Sequence, residues 1–288
     1  MGQVYVLGAG FSKTCNIATD YEMLDALNRL LPKTKDKSGV VGTCVDALRE
    51  QNFRDQQSVS FEAFLSTLSA LKFIPEFMEV KPNTFAKDEL EILRALKQYL
   101  KIGLERVRWN ENGAVILDFV RRLNWQRDAI ITFNYDLLVE AALERSGIDT
   151  AAKVIHLHGA ITDRTMVYPT YKKLAFRNTR TQVAKGWKKA FDLLRTTRRI
   201  DPLDRLTFIG YSMPPSDLEA KGLFNYTDWY NCHDNTSRNA LSLVPIEQHY
   251  GYEIDVVNPC PEIRPNYEFF RKTPVFHCQS LADWLAAT

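Results

Sequence analysis

The sequence lacks the paired cysteines of a disulfide framework or a zinc site. Its five cysteines, an odd number, lie at positions 15, 44, 232, 260 and 278, and no two of them form a C-x-x-C pair. Scattered thiols of this kind are typical of proteins that fold in a reducing compartment. We therefore expect a cytoplasmic protein without structural disulfides.

Long apolar runs and a strong charge imbalance are also missing. No stretch approaches the roughly 20 apolar residues that a helix needs to cross a bilayer, and no basic leader precedes the first apolar run. The net charge is +2 over 288 residues. The charge balance of the whole chain therefore indicates neither a nucleic acid nor a membrane surface as a partner.

The chain does contain six short apolar runs, each followed by polar or glycine-containing sequence. They occupy residues 4–7, 129–132, 154–157, 206–209, 253–257 and 275–276. Such runs are typical of buried parallel strands. Helical patterns lie at residues 21–31, 61–71, 87–107, 179–197 and 281–287, with Asp20 and Ser280 as N-caps of the first and last. The sequence predicts an α/β protein with a doubly wound, Rossmann-like parallel sheet of about six strands.

The region between the first two apolar runs contains helical patterns and no predicted strand. We therefore predict an inserted all-α module at residues 21–112. The Rossmann-like domain would comprise residues 1–20 together with residues 113–288.

A glycine turn follows the first predicted strand. Gly8 and Gly10 would let the backbone approach a pyrophosphate, and the next helix would offer free N–H groups to it. The third glycine of the dehydrogenase fingerprint would fall at Lys13, and no acidic residue closes a second strand about 20 positions on. The pattern therefore disfavours a hydride-transfer enzyme, and a tight turn without a ligand would explain the glycines equally well.

Polar residues follow the second and third predicted strands. Asn134 could hold a water or a ribose hydroxyl, and Asp136 could accept a hydrogen bond from a carboxamide, although both types also form turns. His158 could exchange protons near neutral pH, and a half-buried structural histidine is the alternative. His156 shares its face, but no further clustered ligands support a metal pair.

Two later strand ends repeat this pattern, with Gly210 and Ser212 after one and Asn258 after the other. Because the carboxyl ends of parallel strands meet at one edge of a doubly wound sheet, we expect these groups to converge there.

Five segments, taken in order, resemble the motifs of the sirtuin superfamily. They are G-A-G-F-S at 8–12, T-F-N-Y-D at 132–136, L-H-G at 157–159, G-Y-S at 210–212 and Asn258. The F-N-Y-D form and the pair Phe61 and Glu62 resemble the sirtuin-like branch found in prokaryotic anti-phage defence proteins. The resemblance covers about 150 residues of the predicted sheet.

The resemblance implies a role for each matching residue in binding or cleaving NAD. The residues that would cradle the NAD phosphates are Gly8, Ala9, Gly10 and Ser12, and those that would line the adenosine half are Gly210, Ser212 and Asn258. Asp136 would face the nicotinamide carboxamide. Asn134 would hold the nicotinamide ribose and the attacking water, and His158 would act as the general base.

Two departures from the family pattern affect the expected activity. Residues 160–204 contain no cysteine, whereas deacylating sirtuins carry two C-x-x-C pairs there for a structural zinc. An I-P-D-F-R segment is also absent after the first motif, so part of the nicotinamide pocket must be built differently. We expect no metal, and NAD serves as the substrate.

The resulting hypothesis is an NAD hydrolase that releases nicotinamide and ADP-ribose and is activated on phage infection. An NAD or ADP-ribose-derivative sensor that regulates a partner ATPase or nuclease is the alternative, and a protein-lysine deacylase is a further one. The resemblance implies a homo-oligomer and a separately encoded ATPase of the HerA type. Eleven Lys or Arg residues at 172–206 form a local basic stretch, which is either a solvated face or a docking site for a partner or nucleic acid.

Overall fold

Six parallel strands form the centre of the protein. The structure is a computed structural model, and it describes residues 2–17, 82–149, 153–162, 182–194, 203–214, 217–237 and 252–288. Their bounds are β1 Gly2–Leu7, β2 Ala129–Thr132, β3 Val154–His156, β4 Leu203–Ile209, β5 Glu253–Val257 and β6 Val275–His277. The strand order is β3-β2-β1-β4-β5-β6, and every neighbouring pair is parallel. This is the order of a doubly wound Rossmann sheet, in which strands are added outward on one side from β1 to β3 and on the other side from β4 to β6. The strand order therefore reverses between β1 and β4. The predicted fold class is confirmed.

Two of the strands have the same bounds as their apolar runs, and two others extend beyond them. Strands β2 and β5 have the bounds that the sequence predicts. Strands β1 and β4 begin earlier than their apolar runs, because backbone pairing continues where Gly2 meets Leu203 and Gln3 meets Arg205. Hydrogen bonding between backbones does not require apolar side chains, so strand ends extend beyond the hydrophobic pattern.

The core of the sheet is formed by apolar residues that lie side by side on neighbouring strands. Val6 of β1 pairs with Phe208 of β4, which pairs with Val256 of β5, and all three are fully buried. A strand that is covered on both faces has all of its residues buried, and all four residues of β2 are buried.

The described helices are α1 Ala9–Lys13, α2 Pro82–Glu105, α3 Ala114–Arg122, α4 Leu138–Arg145, α5 Gln182–Leu194, α6 Leu218–Ser237 and α7 Leu281–Ala287, with a 3-10 helix at Pro261–Tyr267. Helices α2, α5 and α7 correspond to predicted ones. The hydroxyl of Ser280 accepts a hydrogen bond from the backbone N–H of Asp283 and so caps α7 as predicted. The helices predicted at 21–31 and 61–71 lie outside the described residues. No helix in the described residues is long and apolar enough to span a membrane.

The sequence does not predict helix α6. Its apolar and polar residues are distributed around the helix rather than along one stripe, so no helical period is visible in the sequence. Asp217 precedes its first residue, and the backbone carbonyl of Asp217 accepts a hydrogen bond from Lys221 N–H.

The chain divides into two compact units. The first comprises Met1–Cys15, Val107–Met166 and Phe176–Thr288, and it contains the sheet. The second comprises Asn16–Arg106 and Val167–Ala175, and its described part contains α2 with the buried residues Leu96 and Leu100. The predicted domain limits at residues 20/21 and 112/113 remain a prediction.

Candidate active site

The turn after β1 and the turn after β4 touch through their backbones at the point where the strand order reverses. Gly10 N–H donates to the Gly210 carbonyl at 2.9 Å, and Gly8 N–H donates to the Ile209 carbonyl at 3.1 Å. A Cβ atom on Gly10 would lie 2.8 Å from Gly210 Cα, which leaves no room for a side chain. Gly210 has a φ of +60°, a conformation that favours glycine. The predicted glycines therefore meet, and the N–H of Gly10 is used within the protein.

Three predicted polar side chains form one hydrogen-bonded chain at this edge. Asn134 Nδ2 donates to the Gly8 carbonyl at 2.9 Å and to Ser12 Oγ at 2.9 Å. Ser12 Oγ donates to Asp136 Oδ2 at 2.7 Å. All three side chains are buried. We call Gly8, Ser12, Asn134 and Asp136 the switch-point network.

The proton positions in the switch-point network follow from its one obligatory acceptor. The Gly8 carbonyl can only accept, so the atom of Asn134 that faces it must be the amide nitrogen. That nitrogen also donates to Ser12 Oγ, so the single hydroxyl proton of Ser12 is directed at Asp136. The amide oxygen of Asn134 is consequently the atom directed away from Gly8, where it can accept a hydrogen bond from a hydroxyl or a water.

Asp136 completes the network as an acceptor on both carboxylate oxygens. Its Oδ1 accepts from the backbone N–H of Leu138 at 3.0 Å, and its Oδ2 accepts from Ser12. Burial raises the pKa of the Asp136 carboxyl above its ordinary value, whereas the hydrogen bonds from Ser12 and Leu138 act in the opposite direction. Both oxygens of Asp136 thus accept hydrogen bonds, as those of a carboxylate do, at a buried position close to Asn134.

His156, at the end of β3, contacts Asn134 from another side. Its Nδ1 lies 3.0 Å from the Asn134 backbone carbonyl, and its Nε2 lies 2.7 Å from Glu140 Oε1 on α4. Burial opposes protonation of His156, but the hydrogen bond and charge of Glu140, the contact with the Asn134 carbonyl and the charge of Asp136 together raise the pKa of His156 above its ordinary value. The sequence does not indicate Glu140, because it lies 16 positions from His156 and only the folded chain brings the two side chains together.

His158 is buried two residues after His156, in an aromatic environment. Its ring lies edge-on to Phe133, with 5.2 Å between centroids, and 5.9 Å from the ring of Tyr135. Phe133 stacks on Tyr211 at 4.3 Å with nearly parallel planes. The sequence does not reveal this stack, whose members occupy variable positions of the T-x-N-x-D and G-x-S motifs. The predicted base therefore lies beside the residue that precedes Asn134.

Ser212 and Asn258 follow the carboxyl ends of their strands as predicted, and Ser212 contacts the 3-10 helix whereas Asn258 forms a local turn. The Ser212 carbonyl accepts from Asn266 Nδ2 at 2.8 Å. Asn258 Oδ1 accepts from the backbone N–H of Cys260 at 3.0 Å, which forms a local turn. Their predicted contacts with the adenosine half of NAD remain predictions.

A second polar cluster crosses β4, β5 and β6, and we call it the lateral cluster. Asp255 accepts from His277 Nε2 at 2.8 Å and lies 3.2 Å from Arg205 Nε. Arg205 also pairs with Glu253. The lateral cluster therefore cross-links three neighbouring strands through their side chains.

The described parts of the basic stretch are helix α5 and residues 203–206 of β4, where Arg205 pairs with Glu253 and Asp255. Lys185, Lys188 and Lys189 are exposed on α5, and Lys188 pairs with Asp192 one turn later. In the described ranges, no group of three or more His, Cys, Asp or Glu residues is arranged to hold a metal ion.

Comparison with known proteins finds similarity at the level of three-dimensional structure only. No family model matches the chain, and no curated protein matches it. The chain is similar to a mutant Sir2 homologue in complex with 2'-O-acetyl ADP-ribose, with 15% identity, a TM-score of 0.49, and coverage of 99% of this chain and 89% of the other.

Two further solved structures show similar agreement. A sirtuin solved to explain substrate affinity has 14% identity and a TM-score of 0.43, over 99% of this chain and 91% of its own. Sir2Tm bound to a propionylated peptide has 14% identity and a TM-score of 0.43, over 99% of this chain and 90% of its own. The similarity to sirtuins thus extends over nearly the full length at low identity.

Proposed function

We propose that this chain binds NAD at the carboxyl edge of its sheet and hydrolyses the nicotinamide–ribose bond to give nicotinamide and ADP-ribose. The observation that carries the proposal is the switch-point network, which orients the amide of Asn134 at the position where doubly wound sheets bind nucleotides. The ordered set of motifs that resembles the sirtuin superfamily supports the same substrate.

The proposed reaction needs groups that orient the ribose, stabilise positive charge and accept a proton. Cleavage releases neutral nicotinamide and leaves positive charge on the ribose, which the buried negative charge of Asp136 would stabilise. The amide oxygen of Asn134 would accept a hydrogen bond from the attacking water or a ribose hydroxyl. Water supplies the new C–O bond, and His158 would take the proton that the water loses.

The remaining residues are proposed to hold the rest of NAD. Gly8, Ala9, Gly10 and Ser12 would lie against the phosphates, and the adenosine half would contact Gly210, Ser212 and Asn258. The hydroxyl proton of Ser12 is directed at Asp136, so Ser12 would contribute to phosphate binding through its backbone or after its hydroxyl turns away.

The direct test is to incubate the purified full chain with NAD and to identify the products. We expect nicotinamide and ADP-ribose from the wild-type chain. Asn134→Ala and His158→Ala should each lower the rate by at least about a hundredfold with a retained circular dichroism spectrum. Glu144→Gln, an exposed substitution on α4, is the control and should retain the wild-type rate. Full activity in either alanine variant would refute the assignment.

The same assay separates the proposed hydrolase from the alternatives. NAD that is bound but not consumed would identify a sensor, and turnover of an acylated peptide would identify a deacylase. Cyclic ADP-ribose as the product would retain NAD cleavage but replace hydrolysis by an intramolecular attack.

The cellular context proposed here follows from the activity and from the resemblance to defence proteins. Constant hydrolysis would exhaust the NAD of the cell, so we propose that the chain is activated on phage infection. Assembly into a homo-oligomer, with or without a HerA-type ATPase, would supply that control. Measuring cellular NAD during infection, with and without the Asn134→Ala substitution, tests this proposal.

A further inference from the structure

The imidazole of His156 is held between two oxygen atoms that belong to different segments. Nδ1 lies 3.0 Å from the carbonyl oxygen of Asn134, and Nε2 lies 2.7 Å from Oε1 of Glu140. The side chain of His156 is only 12% exposed, so water is largely excluded from these two contacts. The ring therefore links α4 directly to the backbone of Asn134.

With Glu140 ionised, both ring nitrogens carry a proton in this arrangement. A backbone carbonyl can only accept, so Nδ1 is a donor, and an ionised carboxylate can only accept, so Nε2 is a donor as well. The second oxygen of Glu140, Oε2, is buried and accepts no hydrogen bond within the described residues. The contact with the carbonyl fixes a proton on Nδ1, and an imidazolium paired with a carboxylate satisfies both contacts of the ring.

The charged and polar groups around His156 favour this state. Glu140 on α4 and Asp136 after β2 are the charged groups that act on the ring, and both are negative. Helix α5 approaches the backbone of His156 closely at Gly186, where a Cβ atom would lie 2.8 Å from the His156 carbonyl oxygen. Glycine has no side chain, so this contact brings no charge. Among the described residues, no positive group competes with the imidazolium.

Asn134 is held at three separate points, because its backbone N–H also donates to Thr132 Oγ1 at 3.1 Å. Its side-chain amide is bound by Gly8 and Ser12, and its backbone carbonyl is bound by His156. The side-chain contacts set the direction of the amide, and the backbone contacts with Thr132 and His156 set the position of the residue that carries it. Loss of the contact with His156 would leave a carbonyl without its charged donor next to the proposed reaction centre.

We propose that His156 and Glu140 act as positioning residues for Asn134, with the imidazolium of His156 fixing the peptide carbonyl of Asn134 and the carboxylate of Glu140 keeping that ring protonated. The effect on NAD cleavage rests on the proposed function, whereas the state of the ring and the placement of Asn134 do not.

The state of the ring is tested first, without NAD, by nitrogen NMR on the full chain labelled at histidine. We expect both nitrogens of His156 to be protonated at neutral pH, and Nδ1 alone to be protonated in Glu140→Gln. The side-chain amide signal of Asn134, assigned by its loss in Asn134→Ala, should shift in His156→Phe and stay in place in Glu144→Gln. A neutral His156 ring in the wild type, or an unmoved Asn134 signal in His156→Phe, would overturn the proposal.

The second measurement compares NAD cleavage by the same variants across pH. His156→Phe should lower kcat by about tenfold or more with little change in KM, as expected for loss of a hydrogen bond from a charged group. Glu140→Gln should retain kcat at low pH, and its activity should decline at a lower pH than that of the wild type. Glu144→Gln should match the wild type throughout.

The outcomes separate the two proposals. A wild-type chain that does not consume NAD would refute the proposed function, and the NMR measurements would still decide the role of His156. Unchanged kcat and pH profile in His156→Phe and Glu140→Gln, in a wild type that does hydrolyse NAD, would refute the positioning role alone. Because Glu140→Gln preserves size and hydrogen bonding, it keeps the test valid should His156→Phe fail to fold.

Discussion

Two histidine–carboxylate pairs in this chain have nearly the same geometry but different surroundings. Nε2 of His156 lies 2.7 Å from Glu140, and Nε2 of His277 lies 2.8 Å from Asp255. The other nitrogen of His156 faces the carbonyl of Asn134, whereas Asp255 divides its interactions between His277 and Arg205. The first pair therefore supports one residue of the proposed site, and the second cross-links strands. The two roles are therefore indicated by the further contacts of each pair, with the Asn134 carbonyl in one and with Arg205 in the other, and not by the histidine–carboxylate contact itself.

The region around the switch-point network depends on contacts between backbones, whereas the lateral cluster is formed by side chains. This difference gives the prediction with the largest effect. The switch point is closed by backbone contacts, and a Cβ atom on Gly210 would lie 2.3 Å from the backbone nitrogen of Phe11. Gly210→Ala adds this clash to a positive φ, so we expect it to lower the free energy of unfolding by at least about 3 kcal/mol or to prevent folding. Urea denaturation followed by circular dichroism measures the change.

Gly222→Ala is the matched control for that experiment. Gly222 lies inside α6, and a Cβ atom there would meet nothing within 4 Å. The substitution should raise the free energy of unfolding by about 0.5–1 kcal/mol, because glycine is a poor helix former. Equal stabilities of the two alanine variants would contradict the claim that the switch point depends on close backbone contact.

The next prediction separates the two regions by activity. Asp136→Asn places an amide where both carboxylate oxygens accept hydrogen bonds, so one donor must face another and the negative charge is lost. We expect NAD turnover to fall by about a hundredfold or more. Asp255→Asn makes the same chemical change in the lateral cluster and should leave turnover near the wild-type value. A similar loss in both variants would indicate a general effect on the fold.

The smallest predicted effect concerns the dependence of stability on pH. The pKa of His156 is raised in the folded state, so its contribution is complete below the unfolded pKa of about 6.5 and is lost as pH rises through the folded value. The free energy of unfolding of the wild type should exceed that of His156→Gln by about 1 kcal/mol below the unfolded pKa, and this difference should shrink as pH increases. Urea midpoints measured from about pH 6 to about pH 9 cover the window. A difference that is constant or grows with pH would contradict the assignment.

The sequence was sufficient for the sheet because each strand carries its own signal. The runs at 129–132 and 253–257 match β2 and β5, since the buried residues of parallel strands covered on both faces are mostly apolar. Placing Asn134, Asp136 and the glycine turns at one edge followed from the rule that carboxyl ends of parallel strands share an edge. These inferences use neighbouring residues and a general topology.

The contacts within the site could not be predicted because they join distant positions. The hydrogen bond from Ser12 to Asp136 joins residues that are 124 positions apart, and no local sequence pattern predicts it. The sequence presents His156 as one half of a possible metal pair, and only the folded chain shows that its partners are Asn134 and Glu140. Helix α6 was missed for a different reason, since its apolar residues do not follow one face.

The contact between Gly10 and Gly210 also has a consequence for how the chain folds during synthesis. The two residues are 200 positions apart and meet through a backbone hydrogen bond. Contacts of such long sequence separation form late, because a long loop must close before they contribute. On a ribosome, the edge that carries Asn134 would be completed only after β4 has emerged and paired with β1. A nascent chain shorter than this would therefore lack a finished site, and the proposed hydrolase would stay inactive until most of its length has been made.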